Sequence, residues 1–215
     1  MKVSEVFSSI QGEALSVGRA STFIRLQGCN LRCYFCDTKY AWKDGKEYSI
    51  DDLVKEVKKY PTKLIAVTGG EPLLQRGELE KLANNLKGYS FEIETNGTLP
   101  PLKNCSCLIR YNVSPKLYSS LVPKEERYHP EILKEFVYLP SIFKFVVKNG
   151  SDWNEMEEII KNIGIPKTRV WVMPEGQNDS IIKQRTLELV EKIKEKGYNL
   201  SPRLQIWLWG NKKGI

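Results

Sequence analysis

The amino-acid sequence predicts an α/β protein whose parallel sheet forms an open, partial (β/α) barrel that is reduced in helices. Short runs rich in β-branched and aromatic residues alternate with amphipathic patterns, which is typical of a parallel sheet covered by helices. The helical patterns are few and some are short, so a full eightfold barrel is not expected. No repeat, low-complexity tract or linker divides the chain, and residues 1–215 are therefore predicted to form one domain.

The predicted elements follow the chain in order. Apolar or alternating runs predict strands at residues 3–7, 22–26, 64–68, 90–94, 108–112, 142–147, 169–173 and 204–207. Apolar residues at helical spacing predict helices at residues 50–59, 77–86, 130–136, 153–163 and 180–196. Ser49 with Asp52, and Ser151 with Asn154, are predicted to cap the first and fourth of these helices.

Charge and hydropathy exclude several classes of protein. The chain carries 33 basic and 26 acidic residues, for a formal net charge of +7. The lysines are scattered along amphipathic helices without an arginine-rich block, which favours a solvated surface over direct nucleic-acid binding. No apolar run approaches the roughly 18–20 residues of a membrane span. The N-terminus enters a strand pattern directly, so we expect a cytoplasmic protein with no targeting peptide.

Three of the five cysteines lie within a single short segment, at Cys29, Cys33 and Cys36. Their spacing is Cys-x3-Cys-x2-Cys, and the segment contains no fourth cysteine. A cubane [4Fe–4S] cluster needs four ligands, and thiolates are the usual ones. Three local thiolates would leave one iron open to a small molecule.

Zinc and disulfide bonds are the simpler interpretations of the cysteines. Structural zinc needs four ligands in two separated pairs, whereas only Cys105, Cys107 and His129 remain. An odd cysteine count in a chain of this length does not indicate a disulfide framework. The iron–sulfur interpretation is therefore preferred, and Cys105 and Cys107 are expected to have a structural role at the start of a strand.

Polar turn motifs follow successive predicted strands. The cysteine segment follows the strand at 22–26, and Gly-Gly-Glu-Pro at 69–72 follows the strand at 64–68. Glu-Thr-Asn-Gly at 94–97 and Ser-Pro-Lys at 114–116 follow the next two strands. Each motif alone is ordinary turn chemistry. Because the carboxyl ends of parallel strands meet at one edge of a sheet, we expect the four motifs to form one site.

The cysteine spacing together with Gly-Gly-Glu-Pro resembles the signature of the radical SAM enzymes. The resemblance implies a barrel of the radical SAM type and a [4Fe–4S] cluster whose open iron is chelated by S-adenosylmethionine (SAM). It also implies that the turn holds the methionyl amino group of SAM. The SAM contacts carried over in this way are Phe35, Cys36, Asp37, Gly70, Glu71, Thr95, Asn96, Ser114, Pro115 and Lys116.

Further segments resemble a narrower family, the 7-carboxy-7-deazaguanine synthases. They are Ser-Ile-Gln-Gly-Glu at 9–13, Arg25, Cys-Asp-Thr at 36–38, Ser-Pro-Lys at 114–116 and the tail from Leu208 to Ile215. The resemblance implies a carbon–nitrogen lyase that converts 6-carboxy-5,6,7,8-tetrahydropterin to 7-carboxy-7-deazaguanine with loss of ammonia. A radical derived from SAM would start the ring contraction. The product is the precursor of the queuosine or archaeosine bases of tRNA.

The same resemblance implies the roles of individual residues. Arg25 has the bidentate fork that a substrate carboxylate needs, and Gln11 and Glu13 can pair with the edge of a pterin. Thr38 would supply a hydroxyl ligand to Mg²⁺, which takes few protein ligands and keeps several waters. The substrate contacts implied are Ile10, Gln11, Gly12, Glu13, Arg25, Thr68 and Ile215.

The expected partners are a flavodoxin- or ferredoxin-type reductant and a second copy of the chain in a homodimer. Two other functions stay open at this point. A glycyl-radical-activating enzyme has the same cysteine spacing and glycine-rich turn, but it acts on a protein. An electron-transfer or iron–sulfur-sensing protein would need a cluster shielded from SAM.

Overall fold

The computed structural model describes residues 1–210, 212 and 214, and these residues form a single open sheet flanked by helices. The strands are β1 Lys2–Ile10, β2 Ala20–Leu26, β3 Lys46–Glu47, β4 Leu64–Gly69, β5 Ser90–Thr95, β6 Leu108–Val113, β7 Ser141–Val147, β8 Val170–Pro174 and β9 Asn199–Leu200. The helices are α1 Ile50–Lys58, α2 Arg76–Asn85, α3 Lys124–Arg127, α4 Pro130–Val137, α5 Gly150–Ile163, α6 Asp179–Lys196 and α7 Leu204–Trp209. None of these helices is long and apolar enough to cross a membrane.

The strand order across the sheet is β3-β1-β2-β4-β5-β6-β7-β8-β9. From β2 to β9 every neighbouring pair is parallel, whereas β1 pairs antiparallel with both β2 and β3. The sheet ends at β3 and β9 without closing, so the predicted open, partial barrel is confirmed. The four turn motifs follow β2, β4, β5 and β6, which lie side by side.

The two faces of the sheet differ because successive side chains point to opposite sides of a strand. On one face Ile24, Val67, Ile93 and Phe145 are fully buried in the main apolar core under the helices. The opposite, inner face carries the polar residues that alternate with them: Arg25, Thr68, Glu94, Asn112 and Lys144 all line a cavity. The helix-facing side therefore stabilises the fold, and the inner side provides the chemistry.

Two predicted elements are wrong. Residues 204–207, predicted as a strand, begin helix α7, in which only Ile206 is buried, and β9 takes the last parallel position of the sheet. A short apolar run does not distinguish strand from helix by period alone. The predicted Ser151 cap is also wrong, because the Asn149 side chain accepts from the N–H groups of Ser151 and Asp152. The Ser49 cap is confirmed, since its side chain accepts from the Asp52 N–H.

Candidate active site

A cavity of about 310 Å³ lies at the carboxyl ends of the parallel strands. It brings together most of the predicted site residues: Ile10, Gln11, Gly12, Glu13, Arg25, Cys29, Cys33, Phe35, Cys36, Asp37, Thr38, Thr68, Gly70, Thr95, Asn96, Ser114 and Lys116. Glu71 and Pro115 do not line it, and Ile215 lies outside the described residues. The prediction that the turn motifs form one site therefore agrees with the geometry.

The three cysteines converge around a small apolar cluster. Cys33 is buried with Leu31 and Val122, and Cys29 and Cys36 pack against this cluster. Burial raises the pKa of the Cys29 and Cys36 thiols. Cys105 and Cys107 lie elsewhere, packed against the main core just before β6.

The donor set of this loop fits a cubane cluster better than a single ion. No three His, Cys, Asp or Glu side chains in the described residues come close enough to hold one metal ion. A cubane spreads its ligands over several irons, and thiolates are its preferred donors. Three thiols on one cavity wall match this requirement and leave one position for a ligand inside the cavity.

The Gly-Gly-Glu-Pro turn is fastened to the cysteine loop. The Gly70 N–H donates to the Leu26 carbonyl at 3.0 Å, and the Glu71 N–H donates to the Gly28 carbonyl at 2.8 Å. The Glu71 carboxylate is fully buried and accepts from the Leu73 N–H, the Thr95 hydroxyl and the Asn96 N–H at 2.9, 2.9 and 2.7 Å. Glu71 therefore ties the turn after β4 to the end of β5.

Ser114 and Lys116 face the cavity from the end of β6. The Lys116 ammonium donates to the Ser114 carbonyl at 3.0 Å and to the Ser114 hydroxyl at 2.9 Å. The Asn96 side chain donates to the Asn30 side-chain oxygen at 2.9 Å and so connects the end of β5 to the cysteine loop. The Ser114 N–H donates to the Thr95 carbonyl at 2.7 Å, so hydrogen bonds join the loops after β5 and β6 to the cysteine loop.

In the other half of the cavity, Glu13 is paired with two cationic side chains. Its carboxylate accepts from the Lys144 ammonium, from Arg203 Nε at 3.0 Å and from Gln205 Nε2 at 2.6 Å. Burial alone would raise the pKa of Glu13, but the ion pairs with Lys144 and Arg203 hold it well below its usual range. The carboxylate is therefore an ionised acceptor and not a proton donor.

Lys144 and Arg203 line the cavity but were not among the predicted site residues. Lys144 is a single charged residue within the apolar strand β7, and that isolation is a detectable signal. Arg203 has no comparable local signal. Its guanidinium donates to Glu13, to the Gly176 carbonyl and to the Asp37 carboxylate, so it joins the cysteine loop to the Gln-Gly-Glu segment.

Gln11 and Thr68 belong to a hydrogen-bonded network on the inner face. The Gln11 amide donates to Glu94 at 3.1 Å and to Glu92 at 3.3 Å. The Thr68 hydroxyl donates to the other Glu94 oxygen at 2.7 Å. Glu92 was also missed, and its position in an alternating strand, two residues before Glu94, was the available signal.

Arg25 and Thr38 occupy the side of the cavity next to β1. Arg25 Nε donates to the Glu5 carboxylate at 2.8 Å, and the Tyr40 hydroxyl donates to the same Glu5 oxygen at 2.9 Å. This pairing fixes the guanidinium while it lines the cavity. The Thr38 hydroxyl donates to the Asp37 carboxylate at 2.8 Å, next to the last cysteine.

Comparisons with known proteins agree with this geometry. The model of the radical SAM superfamily matches residues 23–201. A 7-carboxy-7-deazaguanine synthase of Pyrobaculum aerophilum is 37% identical, with 100% of this chain and 97% of the relative covered. The synthase of Hyperthermus butylicus is 39% identical, with 96% and 92% covered.

Two solved structures extend the comparison. The crystal structure of QueE from Escherichia coli has a TM-score of 0.74 and 25% identity, and it covers 93% of this chain and 92% of that chain. Streptococcus suis SuiB shares the fold alone, with a TM-score of 0.55 and 16% identity over 83% of this chain and 47% of that chain. The cysteine loop, the strand-end turns and full-length similarity lead to one conclusion: the chain belongs to the radical SAM superfamily and, within it, to the 7-carboxy-7-deazaguanine synthases.

Proposed function

We propose that the chain converts 6-carboxy-5,6,7,8-tetrahydropterin to 7-carboxy-7-deazaguanine with loss of ammonia. One observation carries the proposal. A single cavity is lined both by the three cysteines and by Gln11 and Arg25, which can hold a flat, polar ring bearing a carboxylate. The names of the similar proteins from Pyrobaculum aerophilum and Hyperthermus butylicus support the same reaction.

Cys29, Cys33 and Cys36 would hold the [4Fe–4S] cluster. When bound, the cluster and SAM would supply the one-electron chemistry that activates a C–H bond of the substrate. We infer that the SAM-binding wall consists of residues that line the cavity beside the cysteines: Phe35, Asp37, Gly70, Thr95, Asn96, Ser114 and Lys116. Glu71 would position this wall through its buried carboxylate. Pro115 restricts the backbone between Ser114 and Lys116 through its fixed φ angle.

The substrate would bind against the polar inner face. Among the described residues, the hydrogen bond of the Arg25 guanidinium to Glu5 uses only Nε. The two Nη nitrogens can therefore form a bidentate pair with the substrate carboxylate. Glu13 stays ionised between Lys144 and Arg203, so its carboxylate can accept one further hydrogen bond, from an N–H group of the ring. Ile10, Gly12 and Thr68 complete the wall beside the ring.

Thr38 would contribute one hydroxyl ligand to Mg²⁺, with the substrate and waters as the other ligands. The Asp37 carboxylate accepts the hydrogen bond of the Thr38 hydroxyl and orients its oxygen. When bound, Mg²⁺ would supply Lewis-acid chemistry next to the substrate carboxylate. Ile215 stays a predicted substrate contact.

The remaining assignments concern the chain as a whole. We infer that residues 1–215 act as one radical SAM domain, as a homodimer in the cytoplasm. A flavodoxin- or ferredoxin-type protein would deliver the electron. A glycyl-radical-activating enzyme acts on a protein glycine and has no use for a carboxylate-binding arginine beside an ion-paired glutamate in the cavity, so this alternative is not favoured.

The test is a turnover assay under anaerobic conditions. Reconstituted protein is incubated with SAM, a strong reductant, Mg²⁺ and 6-carboxytetrahydropterin, and the product is identified by mass spectrometry. We expect 7-carboxy-7-deazaguanine and ammonia in equal amounts. A protein that cleaves SAM but leaves the pterin unchanged would contradict the proposed function.

A further inference from the structure

Two buried side-chain atoms of the described residues have no hydrogen-bond partner, Asn112 Oδ1 and Gln205 Oε1. Asn112 and Gln205 both line the cavity. Buried polar atoms in folded proteins are almost always paired, because an unpaired acceptor keeps the full cost of its lost hydration. An orphan acceptor of a cavity-lining residue can be satisfied by a donor that a ligand brings, unless that atom is packed against backbone.

The orientation of the Asn112 amide is fixed by Glu92. Asn112 Nδ2 donates to Glu92 Oε1 at 2.6 Å, and the same oxygen accepts from Gln11 Nε2 at 3.3 Å. The Ser16 hydroxyl donates to the other Glu92 oxygen. Because Glu92 Oε1 already acts as an acceptor, Asn112 must present its NH₂ group there and not its carbonyl oxygen. Oδ1 is therefore left without a protein partner.

Asn112 lines the cavity from β6, in the half that we assign to the substrate. In the parallel register of β5 and β6, Asn112 lies opposite Glu94, whose carboxylate accepts from both Gln11 and Thr68. Glu92 also links Asn112 directly to Gln11. The orphan oxygen of Gln205 is different, because it lies 1.8 Å from the point that a Cβ on Gly12 would occupy. That atom is packed against backbone.

We infer that Asn112 is a substrate-recognition residue whose Oδ1 accepts one N–H group of the bound heterocycle. This inference rests on the proposed function, because the tetrahydropterin is the ligand that supplies ring N–H and amino donors. It adds a residue to the implied substrate set and gives Glu92 the role of holding the amide in position. A site with a fixed acceptor discriminates strongly against a ligand that lacks the matching donor.

The test compares Asn112→Leu with Ser16→Ala in holoenzyme loaded with SAM. Asn112→Leu keeps the approximate side-chain volume and removes the acceptor. Ser16→Ala is the matched control, because it removes a donor from the same Glu92 carboxylate and Ser16 does not line the cavity. Anaerobic equilibrium dialysis measures the Kd of 6-carboxytetrahydropterin. We expect about tenfold weaker binding for Asn112→Leu, which corresponds to the usual free-energy contribution of one hydrogen bond. For Ser16→Ala we expect no more than about a twofold change in Kd.

A second variant, Asn112→Asp, keeps an acceptor oxygen and covers the case in which Asn112→Leu does not fold. We expect it to bind the pterin within about threefold of the wild type, since a proton shared with Glu92 replaces the lost donor. Tenfold weaker binding by Asn112→Asp, an unchanged Kd for Asn112→Leu, or equal losses in Asn112→Leu and Ser16→Ala would each overturn the inference. A wild-type protein that does not bind the pterin would instead overturn the proposed function.

Discussion

Gly70 lies so close to Gly28 that a Cβ carbon on Gly70 would fall 1.7 Å from the Gly28 carbonyl oxygen. Gly28 immediately precedes the first cysteine, so this contact joins the glycine-rich turn to the cysteine loop. A real Cβ atom does not approach backbone to this distance, and the backbone here is held by the Glu71 N–H. Only glycine fits at position 70, because its backbone lies so close to the Gly28 carbonyl. The position of the cysteine loop therefore depends on Gly70.

Gly70→Ala is expected to displace the cysteine loop and lower the amount of cluster that the protein retains. Iron and sulfide per chain after anaerobic reconstitution measure the effect, and we expect less than half of the wild-type content. Gly77→Ala is the matched control, because among the described residues no atom outside its own helix backbone and its chain neighbours lies within 4 Å of the Cβ position there. Equal iron content in Gly70→Ala and the wild type would show that the contact is dispensable.

Lys144→Met is expected to destabilise the apo-protein by about 3 kcal/mol at neutral pH, because it leaves the buried Glu13 carboxylate with one of its two cations removed. Chemical denaturation measures the free energy of unfolding. Lys194→Met removes an exposed pair with Glu191 and should change that free energy by less than about 0.5 kcal/mol. If Lys144→Met and Lys194→Met lowered the free energy of unfolding by similar amounts, the stabilising role of the Lys144–Glu13 pair would be refuted.

The ion pair between Glu13 and Lys144 also makes the free energy of unfolding depend on pH. The folded-state pKa of Glu13 lies below its ordinary value of 4.5. The stabilisation is therefore complete above about pH 4.5 and is lost as the pH falls through the folded pKa. We expect the fall in unfolding free energy below pH 4.5 to be smaller in Lys144→Met than in the wild type. A parallel pH profile in the two proteins would argue against the ion pair.

Arg25→Lys keeps the positive charge and removes the bidentate fork. We expect the KM for the carboxytetrahydropterin to rise on the order of a hundredfold, with SAM cleavage in the absence of the pterin unaffected. Steady-state kinetics separates the two readouts. Arg19→Lys, at an exposed position outside the cavity, serves as the control and should leave KM unchanged. If Arg25→Lys left KM as unchanged as Arg19→Lys does, the substrate carboxylate would have to bind at another residue.

Thr38→Ala is expected to raise the Mg²⁺ concentration needed for half-maximal turnover about tenfold, because one metal ligand is removed. Thr38→Ser keeps the hydroxyl and should restore most of the Mg²⁺ affinity. Titration of turnover with Mg²⁺ at saturating substrate measures both variants. Identical Mg²⁺ curves for Thr38→Ala and the wild type would remove the metal role of Thr38.

The sequence was sufficient to predict the parallel sheet and the convergence of the turn motifs, because parallel strands direct every following loop to one edge. It was not sufficient for the partners of Glu13. Arg203 lies 190 residues away along the chain, and nothing in its local pattern indicates the contact. Helix α7 was mistaken for a strand because its short aromatic and aliphatic run satisfies both periods.

The most direct test of one cavity serving both the cluster and the substrate is a single-turnover experiment with 6-carboxytetrahydropterin deuterated at C6. We expect the hydrogen at C6 of the pterin to be the one that the SAM chemistry would remove. If the three cysteines, Gln11 and Arg25 line the same space, the C6 deuterium lies within reach of that chemistry. Mass spectrometry of the recovered SAM and of 5′-deoxyadenosine then finds deuterium in the adenosyl group, together with 7-carboxy-7-deazaguanine. Product formation without any transfer of deuterium to the adenosyl group would contradict the account.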